Sequence, residues 1–303
     1  MRPRLALVTA PEAVGLDQDM APLLGALSDL GAQAEEVCWD APVAWSDYDA
    51  ALLRSTWDYV PRLPEFLHWC ETTAQATRLL NPLEVVRWNT DKHYLLDLHR
   101  AGVPVVPTRF VEPGENPEGA LETFLHQDSL SVGRPVPFTE FVLKPAIGAG
   151  SKDAARHAIG EVAGARAHLH RLLDGGRSVM LQPYLASVDS RGETAMLMFE
   201  GGFSHAIRKG PLLQRGAGLV EGLFAPEEIT PRLPTPGEQA VAAAALRAMP
   251  FPTLLYARVD LIEDEAGSPV VLELELTEPS LFFTQGPGSA ARFAQSLLRR
   301  LEA

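Results

Sequence analysis

Three carboxylates and one guanidinium recur at alternate positions within residues 256–283 of this 303-residue chain. The two runs RVDLI and VVLELEL are β-branched and apolar, and the Glu-Ala-Gly-Ser-Pro between them is typical of a turn. The segment therefore predicts two strands joined by a tight loop. Because side chains alternate faces along a strand, Arg258 and Asp260 share one face of the first strand. By the same rule, Glu273 and Glu275 share one face of the second strand.

The register of this hairpin decides whether the four side chains meet. Folding the segment about its midpoint places Asp260 opposite Glu273, and it places Arg258 opposite Glu275. A shift of one residue would turn one strand's set to the other face. The other face of the second strand is expected to carry Leu272, Leu274 and Leu276.

Such a group suits phosphoryl chemistry on bound magnesium. Hard cations take oxygen ligands, typically one or two carboxylates plus substrate phosphates. A guanidinium beside them, here Arg258, would stabilise a transferring phosphoryl group. For the hairpin taken alone, a solvated strand face with ordinary acidic residues is the alternative.

Composition narrows the classes of partner. The net charge is −13, from 26 Lys+Arg against 39 Asp+Glu, so the cationic excess needed for non-specific binding of nucleic acid is absent. An anionic cofactor would need a locally positive pocket. The two cysteines, Cys38 and Cys70, make neither a disulfide framework nor a Cys-rich zinc site. No apolar run approaches the roughly 18 residues of a membrane span, and the N-terminus is typical of a strand rather than a signal peptide. No membrane contact and a cytoplasmic location are expected.

The first part of the chain alternates strands and a helix. Strands are predicted at 4–10, 32–39 and 48–54, with a helix at 20–31, which indicates a small doubly wound parallel sheet. No G-x-G-x-x-G follows the first strand, so a dinucleotide fingerprint is absent. Ligands of open α/β sheets bind at the carboxyl ends of strands, where Arg54 could hold a carboxylate bidentately. A structural arginine among core aromatic residues is the alternative.

Lysines and glycines mark the middle of the chain. Asn81 is expected to cap a short helix, and Lys92 to lie in the first turn of the next, where a cation is disfavoured unless an anion is near. A strand is predicted at 103–108, and a Pro/Gly-rich boundary at 110–138. A further strand then carries Lys144 into a glycine loop that contains Ser151. Such a loop can lay backbone N–H groups over phosphates, although it is not a P-loop.

The rest of the chain is predicted to alternate helices and strands. A helix at 159–174 with surface histidines and a strand at 179–185 precede a hairpin from Glu193 to Lys209, turning at Gly201-Gly202. Residues 210–226 suit a mobile cover over a reaction, or simply a long loop. Helices are expected at 234–249 and 289–303. The histidines lack the spacing of a zinc site, and no G-x-S-x-G elbow is present.

Taken in order, these pieces resemble the ATP-grasp superfamily of carboxylate–amine ligases. The match covers nearly the whole chain and rests on Asn81, Asp91-Lys92, Gly102-Val103-Pro104 with Thr108, Lys144-Pro145, Gln182-Pro183-Tyr184-Leu185, Gly192-Glu193, Arg258-Val259-Asp260 and Glu273-Leu274-Glu275. The resemblance implies an α/β and α+β fold that clasps ATP. Its expected parts are a doubly wound parallel-sheet domain (1–80), connecting elements (81–127), a central lid subdomain (128–185) and a C-terminal subdomain with the metal site (186–303).

The resemblance also implies roles for individual residues. Arg258 and Lys144 would be catalytic, and Asp260, Glu273 and Glu275 would hold two Mg²⁺ ions. ATP would be bound by Lys92, Lys144, Ser151, Gln182, Pro183, Tyr184, Leu185, Glu193 and Lys209. The substrate carboxylate would be held by Arg54, Thr56 and Arg208. The superfamily usually has Asn where Glu275 stands, so the extra negative charge should tighten metal binding or alter metal preference.

Within the superfamily, RSTWDY and LELELTEPSLFF resemble the O-ureido-serine cyclo-ligases of the D-cycloserine pathway, and also ligases of the glutathione-synthetase/RimK type. This implies activation of a small amino-acid carboxylate as an acyl phosphate, followed by formation of a C–N bond, in a homodimer by family habit. Intermolecular peptide ligation, nucleotide binding without ligation, and a kinase or phosphate-ester hydrolase are the alternatives.

Overall fold

The computed structural model describes residues 2–126, 130–213 and 228–302, which form three sheets. Most of the predicted cover at 210–226, namely residues 214–226, lies outside the described residues. Within the described part of the chain, no helix is both long enough and apolar enough to cross a membrane.

The N-terminal sheet is parallel, as predicted, with strand order β2-β1-β3-β4. Its strands and helices are β1 (Arg4–Thr9), α1 (Met20–Asp29), β2 (Gln33–Cys38), β3 (Ala50–Ser55), α2 (Leu63–Ala76) and β4 (Arg78–Leu80). Alternation along β1 sends Leu5 and Leu7 into the core beneath α1, and Ala6 and Val8 into the core beneath α2. Helices thus cover both faces of the sheet, so the loops at the strand ends are the part of this domain that can contact the other two sheets.

The connecting segment contains two short helices, α3 (Leu83–Asn89) and α4 (Tyr94–Arg100). The predicted cap at Asn81 is wrong, because the helix begins after Pro82. The Asn81 side-chain amide donates instead to the carbonyls of Tyr256 (3.0 Å) and Leu276 (2.7 Å), and so ties the N-terminal domain to the C-terminal sheet.

We expect Asn81→Ala to lower the free energy of unfolding by about 1–3 kcal/mol, because two buried carbonyls would lose their donor. Urea denaturation followed by circular dichroism measures this. Gln75→Ala, a change at an exposed position of α2, is the matched control and should leave the midpoint unchanged. If the two variants had the same urea midpoint, the stabilising role of the Asn81 hydrogen bonds would be contradicted.

The central sheet is antiparallel, with order β5-β8-β6-β7. Its elements are β5 (Arg109–Val111), α5 (Pro117–Leu125), β6 (Glu140–Pro145), β7 (Ala155–Ala158), α6 (Val162–Asp174) and β8 (Val179–Pro183). Helices α5 and α6 share one apolar core with the sheet. Domain bounds at 80, 127 and 185 stay a prediction, although β5 joins this sheet from the predicted connecting segment.

Two predictions in this region are wrong. The segment 103–108 forms only two isolated bridges, Val105 with Val271 and Thr108 with Val132, since Pro104 and Pro107 cannot donate to a ladder. Within the Pro/Gly-rich boundary predicted at 110–138, helix α5 is capped by the Asn116 side chain. His168 was expected at the surface and is buried, 8% exposed.

The C-terminal sheet has order β11-β10-β9-β12-β13. Its elements are α7 (Ser187–Arg191), β9 (Glu193–Phe199), β10 (Gly202–Lys209), β11 (Ile229–Arg232), α8 (Pro236–Ala248), β12 (Tyr256–Glu263), β13 (Pro269–Glu275) and α9 (Ser289–Glu302). The β9–β10 turn lies one residue earlier than predicted. Glu200 and Gly201 occupy it with φ of 48° and 75°, since a two-residue turn of this hand needs positive φ at both positions.

The predicted register of the β12–β13 hairpin is confirmed where it matters. Asp260 pairs with Glu273, and Arg258 pairs with Glu275. Nearer the turn, Leu261 pairs with Val271, so a bulge inserts Leu272. The prediction that Leu272 shares a face with Leu274 and Leu276 is therefore wrong: Leu274 and Leu276 pack in one core cluster, whereas Leu272 packs against another and lines the cleft described next.

Candidate active site

A cleft of about 540 Å³ lies where loops of the N-terminal domain meet the central and C-terminal sheets. Most of the predicted site residues line it: Lys92, Lys144, Ser151, Gln182, Pro183, Tyr184, Leu185, Glu193, Lys209, Arg258, Asp260, Glu273 and Glu275. The structure thus brings together side chains from both halves of the chain, because β6, β8, β10, β12 and β13 all present residues to one space.

One part of the cleft is apolar and bordered by the end of β8. Val142, Ile262 and Leu272 form its walls. The Tyr184 N–H donates to the Glu140 carbonyl at 2.8 Å, whereas the Leu185 N–H has no partner among the described residues. A free backbone donor beside apolar walls suits the edge and faces of a planar base.

All four lysines of the chain line the cleft. The Lys92 ammonium lies 3.0 Å from a Glu273 oxygen and donates to the Gly148 carbonyl at 2.7 Å. The Lys209 ammonium lies 2.5 Å from a carboxylate oxygen of Asp260. These two lysines therefore neutralise cleft carboxylates.

The half-buried Lys144 differs from the buried Lys92 and Lys209. Among the described residues, no carboxylate lies within 4.0 Å of its ammonium. Burial lowers the pKa of Lys144, and the Lys92 charge lowers it further, although Glu273 opposes both. A partly buried cation without a counter-ion favours an anionic ligand.

The carboxylates on β12 and β13 have cations for neighbours. Arg258 donates to both oxygens of Asp260, at 2.9 and 3.0 Å, and also to Glu275. Burial would raise the pKa of Asp260, but Arg258 and Lys209 outweigh it and lower that pKa to about 2. Burial raises the pKa of Glu275 to about 7, and the Asp260 and Glu273 charges add to this while Arg258 opposes it. Asp260 is thus ionised throughout the neutral range.

The predicted metal ligands do not form a cage by themselves. Across residues 2–126, 130–213 and 228–302, no three His, Cys, Asp or Glu side chains are grouped so that they could hold an ion. Asp260 and Glu273 are nonetheless cross-strand neighbours, and both residues line the cleft. Two carboxylates are what Mg²⁺ uses when substrate phosphates complete its shell.

A further part of the cleft was missed from the sequence. Loops of the N-terminal domain and the segment after β13 line it with Asp17, Asp19, Trp57, Tyr59, Glu278, Ser280 and Phe282. The Trp57 indole donates to the Glu278 carbonyl at 3.1 Å, so RSTWDY and TEPSLFF are in contact. The position of Asp17 and Asp19 after β1, at the carboxyl end of a parallel strand, was the available signal.

The three residues predicted to hold the substrate carboxylate lie outside the cleft lining. Arg54 is fully buried, and its guanidinium lies 3.6 Å from Asp17 and 3.4 Å from Asp19, so it binds the protein's own carboxylates. Thr56 is also fully buried. Arg208 faces away because its neighbour Lys209 points into the cleft, and its Nε donates to the Arg191 carbonyl at 2.9 Å.

Glu278 gives a testable pH dependence. Burial raises its pKa to about 8, the Glu275 charge adds to this, and Lys92 and a hydrogen bond to Tyr59 oppose it. A carboxyl whose folded pKa exceeds its unfolded value adds stability at low pH, and that stability is lost as pH rises through the folded value. We expect the Tm of the ligand-free protein to fall by several degrees from about pH 5 to pH 9, and Glu278→Gln to flatten this fall. Calorimetry in EDTA measures the slope of Tm against pH for the wild type and for the variant. Equal slopes would contradict the attribution of this fall to Glu278.

Comparison with known proteins starts from the fold. The structure superposes on the ATP-grasp ligase PsnB with a TM-score of 0.65 at 15% identity, over 99% of this chain and 100% of that one. The predicted ATP-grasp fold is therefore confirmed.

Closer similarity identifies the family. Residues 5–81 match the family model described as D-cycloserine synthetase DcsG, N-terminal domain. The cycloserine biosynthesis protein DcsG of Streptomyces lavendulae is 43% identical over 306 residues, 98% of this chain and 99% of that protein. The crystal structure of D-cycloserine synthetase DcsG superposes with a TM-score of 0.89 at 42% identity, covering 98% and 99% of the two chains. The chain belongs to the DcsG family and is an ATP-dependent carbon–nitrogen ligase, as the sequence predicted.

Proposed function

We propose that this enzyme closes O-ureido-D-serine to D-cycloserine with consumption of ATP. The relatives named for D-cycloserine synthesis support the product. Ring closure breaks no bond at the α-carbon, so a D-configured product requires a D-configured substrate. The observation that carries the proposal is the uncompensated Lys144 ammonium in a cleft that also holds Arg258, Asp260 and Glu273.

The cleft residues fit ATP. The free N–H of Leu185 and the apolar walls around Leu272 would receive the adenine, and Glu193 would bind at the ribose. Lys144 would contact the phosphates, because their negative charge would provide the ion-pair partner that this lysine lacks in the ligand-free protein. Lys92, Lys209 and Ser151 line the same space and would contribute further phosphate contacts.

Asp260 and Glu273 fit magnesium, with Glu275 as a third oxygen donor once Arg258 turns to phosphate. Bound there, Mg²⁺ would neutralise phosphate charge and align the transferring group. Arg258 forms ion pairs with both Asp260 and Glu275. A bound metal ion and the guanidinium would therefore together neutralise the three carboxylates. Two ions, as predicted, and a homodimer remain proposals.

The reaction would proceed in two transfers. A carboxylate oxygen of the substrate forms a bond to the γ-phosphorus of ATP, and the bond from that phosphorus to the β–γ bridging oxygen breaks, releasing ADP. The ureido nitrogen attached to oxygen then attacks the acyl carbon, the bond from that carbon to the phosphate oxygen breaks, and phosphate leaves. Water then adds to the carbamoyl carbon, the bond from that carbon to the ring nitrogen breaks, and the nitrogen takes up a proton. The carbamic acid released breaks down to carbon dioxide and ammonia. Arg258 would stabilise the charge on the transferring phosphoryl group, so catalysis is positioning plus electrostatics.

Incubation of the enzyme with Mg-ATP and O-ureido-D-serine tests the proposal. We expect ADP, phosphate and D-cycloserine in equal amounts by chromatography and mass spectrometry. An intermolecular ligase would give an open-chain amide that needs a second amine. ADP formation that requires another acid, or no ADP formation with any amino acid, would contradict the proposed function.

A further inference from the structure

The part of the cleft lined by the N-terminal domain is joined directly to the phosphoryl-transfer residues. Arg258 donates to the Ser280 carbonyl at 3.2 Å, and its guanidinium lies 5.6 Å from the centre of the Phe282 ring. Phe282 N–H in turn donates to Asp19 at 3.0 Å. A substrate whose carboxylate lies at Arg258 would therefore extend its other groups toward Asp17 and Asp19.

Asp19 has no capacity left for a ligand. Its carboxylate accepts the backbone N–H groups of Leu281 at 2.6 Å and Phe283 at 2.7 Å, besides that of Phe282. The guanidinium of Arg54 lies 3.4 Å away. Asp19 thus fixes the course of the chain after β13.

Asp17 retains an open oxygen. Its Oδ1 accepts the Asp19 N–H at 2.9 Å, whereas its buried Oδ2 makes no hydrogen bond to any described residue. The nearest cation is the Arg54 guanidinium at 3.6 Å, beyond hydrogen-bond distance. Asp17 is only 7% exposed, and it lines the cleft. The other carboxylates there have closer partners: Glu193 and Asp260 with Lys209, Glu273 with Lys92, Glu275 with Arg258 and Glu278 with Tyr59.

The charges around Asp17 do not balance. Arg54 supplies one positive charge against the two carboxylates of Asp17 and Asp19. Burial raises the pKa of the nearby Glu36 carboxyl, and the Asp17 charge raises it further. A ligand that brings one cation would balance the group of Arg54, Asp17 and Asp19, and a second carboxylate would be repelled. The cleft thus distinguishes the two ends of an amino acid.

We propose that Asp17 binds the α-ammonium group of the substrate through its open oxygen, so that the enzyme selects a free amino acid and points its carboxylate toward Arg258. This inference rests on the proposed function, since it presumes that the acid activated in the cleft is an amino acid. Asp17 would be a specificity residue, and it takes no part in bond making.

Two substrates and four enzymes test this inference. The substrates are O-ureido-D-serine and its analogue without the amino group, 3-(ureidooxy)propanoic acid, and kcat/KM is measured from ADP release for each. We expect the wild type to prefer the amino compound by about 100-fold, because the analogue leaves Asp17 buried and unpaired. Asp17→Asn should reduce the preference to less than about 5-fold, through a higher KM for the amino compound. The preference is a ratio within one enzyme, so a partly unfolded preparation does not alter it.

The other two enzymes are controls. Asp29→Asn removes an exposed carboxylate at the end of α1 and should keep the full preference. Glu278→Gln changes another carboxyl that lines the cleft and should also keep the preference. Retention of the preference by Asp17→Asn, or its loss in Glu278→Gln alone, would overturn the inference. If the wild type released ADP with neither compound, the proposed function itself would fail, which is a different result.

Discussion

Replacement of Lys144 by Met is expected to lower kcat/KM for ATP by about 100- to 1000-fold, the effect typical of removing one charged contact to a transferring group. Lys144 is the cleft lysine for which the described residues offer no carboxylate partner within 4.0 Å. Its removal should therefore change the stability of the ligand-free protein little, and it should weaken the interaction with ATP strongly. Initial rates of ADP release across a range of ATP concentrations measure the loss.

Arg166→Met is the matched control for this variant, because Arg166 lies exposed on α6 of the same subdomain. We expect it to retain wild-type kinetics. The Tm of Lys144→Met should equal or exceed that of the wild type, since desolvation already disfavours its charged form. Wild-type ADP release by Lys144→Met would remove this residue from the phosphate site.

Replacement of Glu273 by Gln is expected to lower kcat by roughly 100-fold or more, and to raise the Mg²⁺ concentration needed for half-maximal rate. Glu273 lies opposite Asp260 on the hairpin and 3.0 Å from Lys92, so the variant would lose the proposed metal ligand and would leave Lys92 without this carboxylate. Steady-state rates measured over a Mg²⁺ titration separate these two effects. Excess Mg²⁺ would overcome weaker metal binding, but it would not reverse the effect of the unpaired Lys92 charge.

Glu265→Gln, an exposed position in the turn of the same hairpin, controls for changes to its folding. It should leave both kcat and the Mg²⁺ requirement unchanged. If Glu273→Gln kept the wild-type dependence on Mg²⁺, the assignment of the β12–β13 carboxylates to metal would be contradicted.

The β12–β13 hairpin was predictable because its information is local. Alternation and a central turn fix which residues pair, and the observed pairs of Asp260 with Glu273 and Arg258 with Glu275 follow. The bulge at Leu272 was not predictable, because it depends on how β13 also meets the segment around Val105. The local pattern thus predicted which side chains meet across the strand pair, but it did not predict that Leu272 lines the cleft.

Arg54 shows the opposite case. Its position at the carboxyl end of a parallel strand pointed to an edge of the sheet whose loops line the cleft. Its partners, Asp17 and Asp19, come from a loop that only the tertiary fold brings near, and they already bind the guanidinium. Sequence reasoning therefore located this edge, but it did not show that Arg54 is buried against carboxylates of the protein.

The fate of the carboxylate oxygens of the substrate tests the central claim most directly. O-ureido-D-serine labelled with ¹⁸O in both carboxylate oxygens is turned over with unlabelled Mg-ATP in ordinary water, and the released phosphate is analysed by mass spectrometry. Transfer of the γ-phosphoryl group to the carboxylate predicts one ¹⁸O atom in each phosphate, because the bridging oxygen leaves with phosphorus when nitrogen closes the ring. Phosphate without ¹⁸O, or ¹⁸O found in AMP, would contradict phosphoryl transfer to the substrate in this cleft.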